Sequence, residues 1–140
     1  MTTEHINFTG LPCERQARSD YTILIVEDNL LIKKVLSSWF DELGYQYLIV
    51  STGGAAIDAW GSGQYDLVLL DYNLPDMTGR DVCRAIRDAE RYTGYRSPIV
   101  LYTSESPSVA SAMDLDGYSK KPSSKKELDG LIYWLLKGEN

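Results

Sequence analysis

The stretch ILIVEDN at residues 23–29 decides the fold class, because four apolar residues lead directly into two carboxylates and an amide. The apolar run is too short for a helix and is rich in β-branched residues, so it predicts a strand. A strand that is apolar at consecutive positions is buried on both faces, which is typical of a parallel sheet. Three more runs of this kind follow along the chain, at residues 47–50, 67–70 and 99–101.

Helical patterns separate these apolar runs. One stripe repeats at the spacing of a single helix face and consists of Ile32, Val35, Leu36, Trp39 and Leu43. Gly44 is placed to end this helix, and residues 55–60 and 82–89 predict two more. Residues 124–127 form a capping box ahead of another apolar stripe. With a short fifth strand at residues 118–120, this alternation predicts a doubly wound α/β fold.

The composition is that of one ordinary globular domain of 140 residues, with 44% hydrophobic and 24% charged residues. The net charge of −6 argues against nucleic-acid binding, which needs a basic surface. No apolar stretch reaches the roughly 18–20 residues that cross a bilayer, so no membrane contact is expected. Residues 1–20 are polar and unpatterned and predict a tail or linker, followed by the domain at residues 21–138. Cys13 and Cys83 form no CxxC motif, which disfavours a disulfide scaffold or zinc site and favours a reducing, cytoplasmic compartment.

Polar side chains follow four of the predicted strands. They are Glu27, Asp28 and Asn29 after the first strand, Asp71 after the third, Thr103 at the end of the fourth and Lys121 after the fifth. Ligands of such sheets bind at the carboxyl ends of the strands, so we expect these side chains to meet at one edge. Taken singly, each has a plainer explanation as a helix cap, a turn residue, a backbone-bonded hydroxyl or a solvated charge. Their joint occurrence at strand ends favours a single site.

These residue types together predict phosphoryl chemistry. Clustered carboxylates repel one another unless a cation joins them, and oxygen-only ligands with open water positions suit Mg²⁺. Lys121 supplies a point charge for a phosphoryl oxygen, and Thr103 supplies a hydrogen-bond donor. A carboxylate can act as nucleophile and form an aspartyl phosphate. Phosphoryl transfer requires mainly positioning and charge neutralisation, and this constellation offers both.

Four motifs resemble the receiver domain of two-component response regulators and hybrid histidine kinases. They are ILIVEDN at residues 23–29, YDLVLLDYNLPDMTG at 65–79, PIVLYT at 98–103 and DGYSKKP at 116–122. The likeness extends over residues 22–136. It implies a flavodoxin-like (βα)5 fold with a doubly wound, parallel, five-stranded sheet in the order 2-1-3-4-5.

The resemblance also assigns roles to the residues at the strand ends. Asp71 corresponds to the phosphoacceptor. Asp28 corresponds to a direct ligand of Mg²⁺ (or Mn²⁺), Glu27 to a ligand through water, and the backbone carbonyl of Asn73 to a further ligand. Lys121, chosen over Lys120 because it directly precedes Pro122, corresponds to the lysine that bridges toward the phosphoryl group.

Further residues correspond to the family's switch and lifetime positions. Thr103 is expected to move and bond the phosphoryl group. Tyr118 falls at the aromatic switch position, although a plain strand aromatic is the alternative explanation. Asn73 and Glu105 stand two residues beyond the acceptor and the switch threonine, where the family tunes the lifetime of the phosphoryl group.

The chain departs from the family pattern between Thr103 and Lys121, which are 18 positions apart, a few fewer than usual. The shortening falls on the fourth helix, since residues 106–113 offer roughly two turns. We expect residues 104–116 to open locally below the cost of global unfolding, and phosphorylation to order them. The alternative is a rigid segment, with signalling through the first helix around Leu30, Leu31 and Lys34.

The function that follows is a Mg²⁺-dependent phosphoacceptor that takes a phosphoryl group from a histidine kinase or histidine phosphotransfer domain onto Asp71. The chain is expected to be the receiver of a hybrid histidine kinase, with a stand-alone single-domain regulator and a phosphorylation-independent interaction module as alternatives. It is expected not to be an enzyme in its own right but to assist its own phosphorylation and dephosphorylation, although a hybrid parent would be a histidine kinase.

Two other functions on similar folds fit less well. A phosphatase with an aspartate nucleophile needs a second Asp two positions later as general acid, and this position is Asn73. A flavin- or nucleotide-binding protein would have a phosphate loop after the first strand, where Glu27 and Asp28 would repel a phosphate.

Overall fold

Five strands form one parallel sheet in the computed structural model, which describes residues 17–138. They are β1 (Thr22–Val26), β2 (Gln46–Val50), β3 (Leu67–Leu70), β4 (Ile99–Thr103) and β5 (Gly117–Lys120). The order across the sheet is β2-β1-β3-β4-β5, and every neighbouring pair is parallel. The predicted flavodoxin-like topology is therefore confirmed.

Four α-helices connect the strands. They are α1 (Leu30–Leu43), α2 (Gly53–Ser62), α3 (Gly79–Thr93) and α4 (Lys125–Lys137). Asn29 caps α1 by accepting a hydrogen bond from the Ile32 N–H, and Gly44 ends it in the left-handed conformation. Ser124 and Glu127 form the predicted capping box at the start of α4.

The two faces of the sheet carry two separate cores. On one face Ile23 and Ile25 pack with buried residues of α1 and α4, and on the other Leu24 and Val26 pack with those of α2 and α3. Strands β1, β3 and β4 are buried on both faces, as predicted. Strand β2 differs, with Leu48 42% exposed, because it lies at the edge of the sheet and is covered less completely by helices.

The predicted short fourth helix is reduced to a single 3₁₀ turn, Pro107–Ala110. Ser106 caps this turn through the Ser108 N–H, and Pro107 occupies its first position. Few apolar residues are available to anchor a longer helix, and the chain reaches β5 at Gly117. Because the predicted fourth helix is only a 3₁₀ turn, the α-helix that follows β5 is the fourth α-helix of the chain, α4.

The described part of the predicted tail packs on the last helix. Arg18–Asp20 forms a 3₁₀ turn, whereas residues 1–16, including Cys13, lie outside the described residues. The Arg18 guanidinium donates to Asp129 of α4 at 2.9 and 2.6 Å and lies 4.1 Å from the ring centre of Tyr133. Among residues 17–138, no helix combines the length and the apolar character needed to span a membrane.

Candidate functional site

Three carboxylates meet at the carboxyl edge of the sheet. Glu27 and Asp28 follow β1, and Asp71 follows β3, the strand hydrogen-bonded to β1 in parallel register. One oxygen of each carboxylate lies within 4.8 Å of the others. Glu27 and Asp71 are 2% and 8% exposed, while Asp28 is exposed to solvent. The structure thus brings together the acidic residues that the strand-end argument selected.

Lys121 lies between the two buried carboxylates. Its ammonium group donates to Glu27 Oε1 and, at 3.0 Å, to Asp71 Oδ2, and its side chain is 10% exposed. The backbone N–H of Lys121 donates to the Thr103 carbonyl at 2.9 Å, and this bond fixes the start of the loop between β5 and α4. Lys120, by contrast, is exposed. The ammonium offsets the repulsion between two anions that share a poorly solvated position.

The environment of Glu27 changes the proton affinity of its carboxylate. Burial raises the pKa of Glu27 above its usual value, and the neighbouring charge of Asp71 raises it further. Hydrogen bonds from Lys121 and from the Asn29 N–H act in the opposite direction but do not outweigh burial. Glu27 therefore holds a proton more readily than an ordinary glutamate, and a cation bound here would compete with that proton.

The donor set fits a hard divalent cation. Carboxylate oxygens are the ligands that Mg²⁺ prefers, and it usually keeps several waters and phosphate oxygens in its shell. Asp28 is exposed, so water and other such ligands can reach the cluster from solvent. The cluster is therefore suited in chemistry and in spacing to bind one ion.

Thr103 ends β4 and is fully buried. Its hydroxyl oxygen accepts a hydrogen bond from the Glu105 N–H at 3.3 Å. This is the backbone-bonded arrangement that a strand-end threonine commonly adopts. The hydroxyl hydrogen remains available to a further acceptor.

Glu105 connects three of the selected residues. Its N–H bonds to Thr103, its carbonyl accepts from the Tyr118 hydroxyl at 2.9 Å, and its carboxylate accepts from the Asn73 amide. Sequence reasoning selected Asn73 and Glu105 as a pair and Thr103 and Tyr118 separately. It did not foresee that one residue would join all three, because the path of the loop that carries Glu105 is not encoded in a periodic pattern.

Two residues were missed as contributors to the site, Asp76 in the β3–α3 loop and Gly79 at the start of α3. Asp76 accepts from the N–H groups of Gly53 and Gly54 at 2.8 and 2.9 Å and so joins the loop to the start of α2. A Cβ on Gly79 would lie 2.5 Å from the carbonyl oxygen of Asp71, so only glycine fits there. The sequence shows a glycine at the start of the helix that follows Asp71. It does not show that this glycine packs against the backbone of Asp71.

A family comparison matches residues 23–133 to the model described as response regulator receiver domain. Among curated proteins, the peroxide stress-activated histidine kinase mak1 of Schizosaccharomyces pombe is 30% identical over 132 residues, covering 89% of this chain and 8% of that protein. The chain spans only 4–12% of the length of the first curated relatives that it matches.

Solved structures with the same fold include two that bear on the site. The receiver domain of sensor histidine kinase PA1611 from Pseudomonas aeruginosa, with a magnesium ion coordinated in its active site cleft, superposes with a TM-score of 0.76 at 29% identity, covering 85% of this chain and 98% of that one. A co-crystal structure of the Saccharomyces cerevisiae histidine phosphotransfer protein Ypd1 with the receiver domain of Ssk1 gives a TM-score of 0.72 at 26% identity, covering 78% and 83%.

Proposed function

This chain belongs to the response regulator receiver domain family, and from that premise we propose that Asp71 accepts the phosphoryl group in a phosphorelay. The observation that carries the proposal is the position of Asp71, which is buried at a strand end, bonds Lys121 and lies within 4.8 Å of the carboxylates of Glu27 and Asp28. A carboxylate held in one orientation beside a cation is prepared to attack an electrophilic phosphorus.

The transfer exchanges one bond to phosphorus for another. An Asp71 oxygen forms a bond to phosphorus while the bond from phosphorus to the donor imidazole nitrogen breaks, and its electron pair returns to that nitrogen. The Tyr72 N–H donates to Asp71 Oδ1 at 2.7 Å and Lys121 donates to Oδ2, so both oxygens are oriented. Lys121 also places a positive charge where the transferred oxygens arrive.

A divalent cation completes the site in this proposal. Glu27, Asp28 and Asp71 would hold Mg²⁺ or Mn²⁺ together with the backbone carbonyl of Asn73. When bound, the ion would neutralise charge on the phosphoryl and carboxylate oxygens. The chain contributes an acidic cluster of suitable spacing, and the magnesium ion in the PA1611 receiver supports this reading.

Phosphorylation is read out through Glu105. The Thr103 hydroxyl turns toward a phosphoryl oxygen, which weakens its bond with the Glu105 N–H. Because the Glu105 carbonyl also bonds Tyr118, a shift of Glu105 is passed to the Tyr118 ring. The Asn73–Glu105 hydrogen bond lies between the loops that follow Asp71 and Thr103, where it influences access of water and thus the phosphoryl lifetime.

The first turns of α1 provide the docking surface for the phosphodonor. Leu30, Leu31 and Val35 lie in the first two turns of α1, which follows Asp28, and are 61%, 72% and 45% exposed. Exposed large apolar side chains in one patch are typical of a protein interface. A helical histidine phosphotransfer domain suits this patch, and the Ypd1–Ssk1 complex supports that choice of partner.

At the level of the whole protein, we place this receiver within a hybrid histidine kinase. The relative mak1 is named a histidine kinase and aligns with 89% of this chain over 8% of its own length. The receiver then assists its own phosphorylation and dephosphorylation, while the kinase reaction belongs to another part of the protein. A stand-alone regulator is the alternative.

The proposal is tested by incubating the protein with acetyl phosphate, with and without Mg²⁺, and measuring the intact mass. We expect a Mg²⁺-dependent, hydroxylamine-sensitive phosphoryl adduct on the native protein and on Asp58→Asn, whose exposed carboxylate lies on α2. Asp71→Asn should remain unlabelled, because an amide is nearly isosteric but not nucleophilic. Full labelling of Asp71→Asn would reject the assignment.

A further inference from the structure

A basic cavity lies between α3 and the segment that replaces the fourth helix, away from the carboxylate cluster. Its volume is about 200 Å³. It is lined by Arg80, Cys83, Arg84, Arg87, Asp88, Ala112, Met113 and Asp114. The three arginines stand at positions i, i+4 and i+7 of α3, which places them along one stripe of the helix.

The other charges of the cavity are already paired. Arg87 bonds Glu90 and Asp116, both at 2.9 Å. Asp88 pairs with Arg91, and Asp114 pairs with Arg96. In each of these ion pairs the two opposite charges largely cancel, so they contribute little to the net charge that a bound group would experience.

Arg80 and Arg84 are different, because neither forms a salt bridge within residues 17–138. The Arg80 Nε–H is enclosed and has no hydrogen-bond acceptor among the described residues. Both guanidinium groups lower the pKa of the nearby carboxyl of Asp81, after the larger effect of the Thr78 hydrogen bonds on that carboxyl. Asp81 caps the start of α3 and bonds Thr78 rather than either arginine.

We propose that this cavity binds a phosphate group, held by Arg80 and Arg84. The terminal N–H groups of both arginines have no carboxylate partner among residues 17–138, so phosphate oxygens can accept hydrogen bonds from them. Guanidinium groups pair with phosphate oxygens in a two-point geometry. The volume accommodates a group of five heavy atoms but is smaller than the roughly 300–1,000 Å³ of sites for larger ligands.

The bound group would also contact the loop that connects the 3₁₀ turn to β5. Ala112 and Met113 form the opposite wall of the cavity. A phosphate held there bridges α3 to this loop. Because it binds only the folded arrangement, it stabilises the position of the loop by mass action. The site does not depend on phosphorylation of Asp71.

The proposal is tested by titrating the ¹⁵N-labelled protein with inorganic phosphate, at constant ionic strength and without divalent cations. We expect saturable shifts of the Arg80 and Arg84 Nε–H signals and of the Ala112 and Met113 amides. Arg80→Gln and Arg84→Gln should each raise the Kd about tenfold or more, because each removes a charge-assisted hydrogen bond. Lys126→Gln, which removes one exposed charge from α4 on the opposite face of the sheet, should bind like the native protein.

A second titration with O-phosphoserine identifies the source of the phosphate group. Tighter binding of phosphoserine assigns the site to a phosphorylated side chain, and tighter binding of inorganic phosphate assigns it to the free ion. Equal shifts with chloride, no saturable binding of either compound, or native affinity in both arginine variants would overturn the proposal. Circular dichroism of each variant verifies that a lost signal is not caused by unfolding.

Discussion

The ammonium of Lys121 allows two carboxylates to remain buried side by side at the edge of the sheet. Glu27 and Asp71 both bond it, and the ring of Tyr102 lies 5.4 Å from the same nitrogen. Without a cation, two such anions would repel each other and retain protons. The lysine therefore has a structural role in the apo protein in addition to its role toward the phosphoryl group.

Replacing Lys121 should destabilise the protein when no other cation is present to offset the two carboxylates. We expect Lys121→Met to lower the free energy of unfolding by about 3 kcal/mol at neutral pH, since it leaves buried charges unpaired. Urea denaturation without divalent cations measures this loss, and Lys126→Met is the exposed control. Adding Asp71→Asn should recover part of the stability, because it removes one of the two anions. Equal effects of Lys121→Met and Lys126→Met would show that the lysine does not stabilise the cluster.

The raised pKa of Glu27 has a defined direction for stability. The folded state binds this proton more tightly than the unfolded state, whose glutamate has the ordinary pKa of 4.5. The contribution of Glu27 to stability therefore declines as the pH rises from about 4.5 through the folded pKa. In Lys121→Met the decline should continue to higher pH, because loss of the Lys121 hydrogen bond raises the folded pKa of Glu27 further.

Asp28 should be required for most of the stabilisation by Mg²⁺. An ion that binds only the folded state at 100 times its Kd contributes about 2.7 kcal/mol. We expect thermal unfolding to shift upward with Mg²⁺ in the native protein and in Asp58→Ala, and to shift little in Asp28→Ala. An undiminished shift in Asp28→Ala would place the ion elsewhere and leave Asp28 as a residue of the β1–α1 loop only.

The strand-end rule predicted the residues of the site better than the contacts among them. Glu27, Asp71 and Lys121 could be selected because parallel strands end at one edge, whatever the loops do. The hydrogen bonds of Glu105 with Asn73 and Tyr118 could not, since they depend on the path of an irregular loop. Periodicity carries information about elements and little about loop conformation.

The segment between β4 and β5 is short but is fixed at both ends. At its start, Glu105 bonds Thr103 and Tyr118. At its end, Asp116 accepts from the Ile99 N–H at 2.8 Å and from Arg87. The sequence predicted a short helix in this segment, because Thr103 and Lys121 are only 18 positions apart and few apolar residues lie between them. It did not predict the anchoring arginine, because α3 and this segment lie far apart in the chain.

Arg87 should contribute much more to the free energy of unfolding than Arg91, which lies one turn later on α3. Its side chain is 12% exposed and bonds Glu90, Asp116 and two backbone carbonyls. We expect Arg87→Gln to cost about 3 kcal/mol in urea denaturation, because the buried Glu90 carboxylate loses its guanidinium partner. Arg91→Gln, whose side chain is 75% exposed and pairs with Asp88, should cost less than about 1 kcal/mol. Similar losses in the two variants would contradict this role of Arg87.

Hydrogen exchange should reveal the different parts of the β4–β5 segment. The amides of residues 108–113 lie in or beside a single 3₁₀ turn and should exchange quickly in the unphosphorylated protein. The Asp116 N–H, which donates to the Ile99 carbonyl at 2.8 Å, should exchange slowly. Phosphorylation should slow the exchange of the turn. Equal, high protection in both states would favour signalling through the first helix instead.

At the scale of the whole molecule, the residues before β1 are joined to the last helix. Arg18 donates to Asp129, and the Tyr45 hydroxyl donates to the same carboxylate at 2.6 Å. Tyr133 completes the contact through its ring. This cluster lies on the face covered by α1 and α4, opposite the basic cavity beside α3. The described turn Arg18–Asp20 is therefore joined to α4 rather than to α3.

This terminal cluster should lose its contribution to stability in acid. Burial alone would raise the pKa of Asp129, but the hydrogen bonds from Arg18 and Tyr45 outweigh it, so the pKa lies below its usual value of 3.8. The unfolded state consequently binds this proton more tightly. The stabilisation is present above about pH 4 and is lost as the pH falls through the folded pKa.

Asp129→Asn tests this dependence. We expect it to lower the free energy of unfolding by about 1 kcal/mol at pH 7, a value reduced by partial exposure to solvent. The difference from the native protein should shrink as the pH falls from 4 to 3, because protonation then removes the same charge from the native carboxylate. Asp58→Asn, which changes an exposed carboxylate of α2, should show no such convergence. Urea denaturation at several pH values measures both variants, and a pH-independent deficit in Asp129→Asn would mean that packing, not charge, joins the segment to α4.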